Sequence, residues 1–249
     1  MCGRFAANYT WKEIHAFSHT IGVTTPTADP TPSYNVAPTQ LAWVLVPDEE
    51  QKLVASQFRW GLIPRWAKDT KMAFNSINAR LETVDTKPTF KTAWQRHRCL
   101  VPVSGYFEWV EASGRKQPYY IKSATGLMML GGIFERWGNA DHFINSFSIV
   151  TTEARGAITA MHDRMPIILQ PTELLDWVTG DAEKAMTLAM TLANPELTFY
   201  AVNPEVGNVR NNRPELIAPY DVPDPEGTSS KLNFPGAEVV AVGYGDFTE

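Results

Sequence analysis

The 249-residue chain reads as an α+β protein, one domain with a mostly β core and helices packed around it. Three observations predict this. Six runs rich in aromatic and β-branched residues follow in close order between residues 40 and 152, several with period-two alternation. Short segments with helical signals precede, interrupt and follow them. With 44% hydrophobic and 20% charged residues and no internal repeat, the chain has the composition and length to bury a sizeable core.

Residues 10–22, TWKEIHAFSHTIG, open with Thr10 and Glu13 at capping-box spacing, and Gly22 reads as the stop. Residues 24–39, TTPTADPTPSYNVAPT, carry too much proline for regular structure and read as a loop. The strand-like runs are QLAWVLV (40–46), KLVASQFRW (52–60), RCLVPVSGYFEWV (98–110), QPYYIKS (117–123), LMMLGGIFE (127–135) and FINSFSIVTT (143–152). FKTAWQRHR (90–98) and EARGAITAM (153–161) read as helices. So do PTELLDWVTG and DAEKAMTLAMTLA, a pair with Pro171 at a start and Gly180 at a stop. FYAVN (199–203) is a late strand, and from about Pro223 the composition turns polar and rich in Gly and Pro. The division expected is a domain over 1–220 and a partly irregular tail over 221–249.

No run of about 18 apolar residues predicts a membrane span. The N-terminus lacks a basic segment followed by an apolar one, so a cytoplasmic protein is expected. Cys2 and Cys99 allow at most one disulfide, which fits a reducing compartment. A net charge of -5 argues against nucleic-acid binding through the global field, so any polyanion site must be a local basic groove. There is no CxxC, and His15 and His19, the one histidine pair at helical spacing, have no third ligand nearby; no metal site and no cofactor are expected.

Five places carry polar groups where chemistry could reside. Cys2 directly follows Met1, and removal of Met1 would give it a thiol and a free α-amine on adjacent carbons. Glu108 lies between Phe107 and Trp109 in an apolar strand and shares a face with Tyr106 and Val110. A carboxyl held among aromatic rings has a raised pKa and can work as acid and base near neutrality; a solvent-facing or Arg-paired residue is the alternative. Asn78 and Arg80 interrupt FNSINARLET, and His162, Asp163 and Arg164 precede an apolar strand. Gly207, Asn208, Asn211 and Asn212 with two arginines suit a loop that approaches a ligand backbone, or an ordinary surface loop.

MCGRF, YNVAPT, WGLIPRWAK, NSINARLET, VPVSGYFEW, QPYYI, SIVTTEA, MHDRMPIIL and VGNVRNN occur in this order over residues 1 to 219. As an ordered set they resemble the SRAP (SOS response-associated peptidase) family. The resemblance implies a single SRAP-type domain with a barrel-like, mostly antiparallel core, working as a monomer without a cofactor. It implies a sensor of abasic sites in single-stranded DNA that links to them covalently, with possible lyase and self-processing peptidase activity. Cys2 matches the family nucleophile, and Asn78, Glu108 and His162 match its other catalytic positions. Arg4 and Arg80 match basic residues of the DNA groove, Trp66 and Pro38 fall in the segments that wedge against bases, and Asn208 lies in a further matching segment. Ala67 follows Trp66 where some bacterial members carry a second Trp, so stacking is expected to differ here.

The implied chemistry is consistent with the residues. An α-amine with a pKa of about 7.7–8.0 is partly neutral at cellular pH and can form a Schiff base with the ring-opened C1′ aldehyde. The neighbouring thiol can then add to the imine carbon. Nitrogen, Cα, Cβ, sulfur and C1′ close a thiazolidine, which an internal cysteine with its nitrogen in an amide cannot do. Three rival readings stand beside it. MCG also opens class II glutamine amidotransferases, although Arg4-Phe5 departs from their usual continuation. Cys2, Glu108 and His162 could serve a thiol peptidase. A noncovalent single-stranded-DNA module would leave Cys2 incidental.

Overall fold

The computed structural model describes residues 2–112, 115–194 and 196–222. The expected tail, apart from Asp221 and Val222, lies outside the described residues. In chain order the elements are β1 (Phe5–Ala7), α1 (Trp11–Phe17), β2 (Val23–Thr24), β3 (Ser33–Val36), β4 (Leu41–Pro47), β5 (Leu53–Trp60) and β6 (Asn78–Arg80). There follow α2 (Lys91–Arg96), β7 (Arg98–Val103), β8 (Gly105–Ala112), β9 (Arg115–Ser123), β10 (Met128–Gly138) and β11 (Phe143–Glu153). The last are β12 (Arg164–Pro166), β13 (Ile168–Leu169), α3 (Leu174–Thr179), α4 (Ala182–Thr191) and β14 (Leu197–Ala201).

The strands form two sheets, and the larger one closes on itself. β11 runs antiparallel to β10 and also pairs in parallel with β5, at Ser146 opposite Arg59 and Phe147 opposite Trp60. With β10 on β7, β7 on β4 and β4 on β5, the path returns to its start and leaves no open edge between these strands. The second sheet has the order β14-β9-β8-β1-β3 and is antiparallel throughout. Aromatic rings fill the space between: Phe5 packs on Trp60 at 4.8 Å, and Trp60 stacks on Phe147 at 6.4 Å. Trp94 and Trp177 meet edge to face under the helices. This is the α+β architecture expected, one mostly antiparallel core with helices at its margin.

The register of β1 positions the chain's first residues. Phe5 pairs with Tyr106 and Ala6 with Gly105, and the Phe107 N–H donates to the Arg4 carbonyl at 2.9 Å. The antiparallel pairing therefore runs the segment before Phe5 alongside Glu108. The corner between β7 and β8 makes this possible. Ser104 bonds Ala6 through its backbone N–H and its hydroxyl, and Gly105 leaves room for the Tyr120 ring, which an added Cβ would meet at 2.3 Å.

Local differences from the sequence reading have local causes. Thr10 and Glu13 form the capping box, but α1 ends at Phe17, and the capping Ser18, whose N–H bonds the Ile14 carbonyl, lies four positions before Gly22. Gly22 instead bonds Leu53 at the start of β5. The proline-rich stretch contains a strand after all: β3 sits between Pro32 and Pro38 at the edge of its sheet, where a missing N–H costs nothing. Residues 153–161 form a 3₁₀ turn over Gly156–Ala160, because Gly156 begins it at φ 56°, outside the right-handed helical region. No helix among the described residues is long and apolar enough to cross a membrane.

Candidate active site

Cys2 is fully buried, with its sulfur 4.0 Å from the Arg4 carbonyl oxygen. Burial, then the charge of Glu108, pushes its thiol far above the ordinary range, so it is held as the neutral thiol. With Met1 ahead of it, the Cys2 nitrogen is an amide. Asn78 comes from β6, which pairs in parallel with β11 at Ile149. Its side-chain Nδ2 donates to the Cys2 carbonyl at 2.8 Å, and its Oδ1 is buried with no hydrogen-bond partner among the described residues. The strand supplies a fixed backbone, so the amide clamps the start of the chain.

Glu108 points inward from β8 and is 3% exposed. Burial raises its carboxyl to about 7; the positive charge of the N-terminus opposes this and Asp163 adds to it. Tyr106, one pleat away on the same face, is completely buried, and its hydroxyl has no hydrogen-bond partner among the described residues. Its phenol is pushed well up by burial and by the charges of Cys2 and Glu108, which marks it as a neighbour of both. The sequence reading noted its shared face without counting it as a site residue.

His162 follows the 3₁₀ turn and precedes β12. Its Nδ1 lies 2.9 Å from the backbone nitrogen of Arg164 and 2.8 Å from Asp163 Oδ1. Burial holds its pKa below the ordinary value, which favours the neutral ring near pH 7. The Arg164 side chain grips both oxygens of Glu82, at 2.9 and 2.8 Å, and the Thr151 carbonyl at 2.8 Å. Arg80 pairs opposite Thr151 in the same sheet, is exposed, and lies near enough to Glu82 to lower its pKa.

Of the positions expected to meet DNA, Trp66 presents the clearest surface. It is 58% exposed, and its indole N–H reaches the Pro88 carbonyl at 3.4 Å. The loop bearing it leaves β5 through Gly61 at φ 117°, where an added Cβ would meet the Ala73 oxygen at 2.4 Å. Pro38 is half-buried beside Thr39, which has φ 73°. Arg4 is only 9% exposed. Its Nη1 donates to Asn35 Oδ1 at 2.7 Å and to the Val206 carbonyl at 2.8 Å, and its guanidinium lies 5.8 Å from the Trp109 ring. Asn208 is exposed, and its carbonyl accepts from Asn35 Nδ2 at 3.1 Å. Asn35 therefore ties Arg4 to the Asn208 loop. Sequence reasoning passed over it inside the proline-rich stretch; the one signal there was a polar residue between Tyr34 and Val36. Among the described residues no group of histidine, cysteine and acidic side chains has the arrangement of a metal site.

The chain matches the SOS response associated peptidase (SRAP) family over residues 1–209. Abasic site processing protein YedK of Escherichia coli is 33% identical over 231 residues, spanning 88% of this chain and 100% of that protein. Abasic site processing protein YoqW of Bacillus subtilis is 32% identical over 223 residues, spanning 87% and 99%. Abasic site processing protein HMCES of Mus musculus is 30% identical over 248 residues, spanning 81% of this chain and 70% of that protein. A crystal structure of a Bacteroides thetaiotaomicron protein shares the fold, with a TM-score of 0.74 at 23% identity over 88% of this chain and 100% of that one.

Proposed function

The chain is a member of the SOS response associated peptidase (SRAP) family, and on that premise we propose that it processes abasic sites in single-stranded DNA by linking itself to them through Cys2. One observation carries the reading. Asn78 holds the Cys2 backbone, and Glu108, a buried carboxyl with a pKa near neutrality, is electrostatically coupled to the Cys2 thiol.

Removal of Met1 converts the Cys2 nitrogen from an amide to a primary amine. The amine adds to the C1′ aldehyde of the opened sugar, and loss of water gives the imine. Glu108, populated in both protonation states near pH 7, protonates the departing hydroxyl and then accepts the thiol proton. The C1′=N bond left by dehydration is the protonated iminium, and the sulfur–C1′ bond forms as its π pair withdraws to nitrogen, which keeps the hydrogen it already carries, so Glu108 ends protonated as it began. The products are a thiazolidine and one water. Run in reverse, the same shuttle reopens the ring. Loss of the C2′ proton before closure would instead expel the 3′ phosphate, a lyase outcome that fast closure pre-empts. His162 supplies the proton to O4′ as the sugar opens, and Asn78 keeps the nucleophile on its trajectory.

Exposed Trp66 offers a stacking surface beside the strand, and Arg80 offers a phosphate contact, so a local groove suffices in a protein of net charge -5. The test is incubation with single-stranded DNA bearing one abasic site, followed by denaturing electrophoresis and intact mass. A stable adduct is expected for the wild type, and none for Cys2→Ala or for protein that retains Met1. The same stable adduct from Cys2→Ala would end the thiazolidine reading.

A further inference from the structure

His162 Nδ1 has two neighbours of opposite polarity, the Arg164 backbone nitrogen at 2.9 Å and Asp163 Oδ1 at 2.8 Å. A peptide N–H only donates, so its bond needs a bare lone pair on Nδ1. A carboxylate only accepts, so its bond needs a hydrogen there. One ring nitrogen satisfies one of them at a time. In the neutral ring Nδ1 accepts from Arg164 and the hydrogen sits on Nε2. In the charged ring both nitrogens carry hydrogen and Nδ1 donates to Asp163. Nε2 is a donor in both of these resting forms, is bare only in the transient tautomer left after it has given its proton away, and the ring need not turn over.

We propose that Asp163 is a positioning residue for His162: its carboxylate takes Nδ1–H of the charged ring, the Arg164 N–H holds the neutral one, and Nε2 keeps its aim in both. The proposal rests on the reading of His162 as the group that protonates O4′. In that step the C1′ hydroxyl gives its proton to the Glu108 carboxylate as C1′=O forms. The pair of the C1′–O4′ bond goes to O4′, which takes the Nε2 proton. The ring is left with its hydrogen on Nδ1, still bonded to Asp163, and regains a proton at Nε2 from solvent.

The surroundings fix both partners while leaving the exchange free. The Asp163 carbonyl accepts from the Ala154 N–H at 2.8 Å, and Arg164 pairs with Glu153 across β12 and β11. Bonds to Glu82 and Thr151 anchor the Arg164 side chain, so the peptide between residues 163 and 164 is pinned on both sides. The Asp163 side chain itself is 81% exposed and can turn toward or away from the ring, which is 27% exposed. Among the described residues, the charges acting on His162 are Asp163 and Arg164, and the N-terminal charge acts in the same direction as Arg164. Glu82 offsets Arg164, with Arg80 near Glu82, and Glu108 feels Asp163 from β8. Burial, the N-terminal charge and the Arg164 guanidinium lower the pKa of His162, while Asp163 first and the Arg164 backbone second raise it, and Asp163 is the acidic side chain among them acting to preserve the charged ring.

The experiment compares wild type, Asp163→Asn and Asp163→Glu. The His162 ring nitrogens are titrated by NMR in DNA-free protein, and single-turnover adduct formation on abasic single-stranded DNA is measured across pH. Asp163→Asn should lower the His162 midpoint and slow adduct formation about threefold above that midpoint, the scale of one exposed ion pair. Sign follows from the acid role: the two rates converge as pH falls below both midpoints. The glutamate variant should restore the wild-type profile, and 1 M salt should narrow the gap. A His162 midpoint that Asp163→Asn leaves in place overturns the proposal. Absence of any adduct from the wild type would overturn the functional reading instead, and the DNA-free titration would still decide the Asp163 contact.

Discussion

Replacing Glu108 by Gln separates the chemistry of the site from its cost to stability. In the unfolded chain this carboxyl ionises near its ordinary 4.5, and in the folded protein near 7. Between those values the native state binds more protons than the unfolded one, so stability falls as pH rises through the interval. The gap corresponds to roughly 3 kcal/mol, at about 1.4 kcal/mol per pH unit, and it already includes the opposing pull of the N-terminal charge. Glu108 is 3% exposed, so solvent screening removes little of it. Glutamine stays neutral at every pH and keeps nearly the same shape. Urea unfolding of both proteins from pH 4 to pH 8 should therefore give matching stabilities near pH 4. At pH 8 the variant should be more stable by roughly 2–3 kcal/mol, while forming the abasic-site adduct more slowly. Equal stabilities and equal pH slopes would refute the assignment of a raised carboxyl. Unchanged adduct kinetics would refute its part in the chemistry.

Trp66→Ala should weaken noncovalent binding of single-stranded DNA by about 1–3 kcal/mol, read by fluorescence anisotropy, with little change in thermal stability because the ring is 58% exposed. Gly61→Ala should destabilise the fold by about 2 kcal/mol or more in urea unfolding, since the new Cβ meets the backbone Ala73 oxygen at 2.4 Å on a left-handed φ. A fully stable Gly61→Ala protein would show that the loop after β5 can re-route.

Much of the fold is legible because strand signals are local. Alternation in residues 52–60 reports a half-buried pleat whatever the strand pairs with, and Thr10 with Glu13 caps α1 through bonds within a single turn. Residues 33–36 were hidden because their prolines end a strand without preventing one at a sheet edge. Residues 153–161 look helical by composition, and Gly156 overrides that through its backbone angle. For the site, the pleat puts Glu108 on the face of Tyr106 but leaves open whether that face is buried, since Phe107 on the opposite face is buried as well. The burial of Cys2 and of Arg4 does not, because it depends on β1 inserting between β8 and β3.

Residue chemistry is legible in the chain alone: a cysteine directly after Met1, a carboxyl among aromatics, a histidine followed by an acid and a base. These are properties of covalent structure and of near neighbours, and they survive any arrangement of the chain. The rest comes from pairing between distant segments. The parallel pairing of β11 with β5 closes the barrel, and the parallel pairing of β11 with β6 carries Asn78 to the Cys2 carbonyl. Arg164 finds Glu82 across 82 residues of chain, and Asn35 finds the Asn208 loop across 173. Such contacts form when distant segments pair in one register, which no short window of sequence encodes.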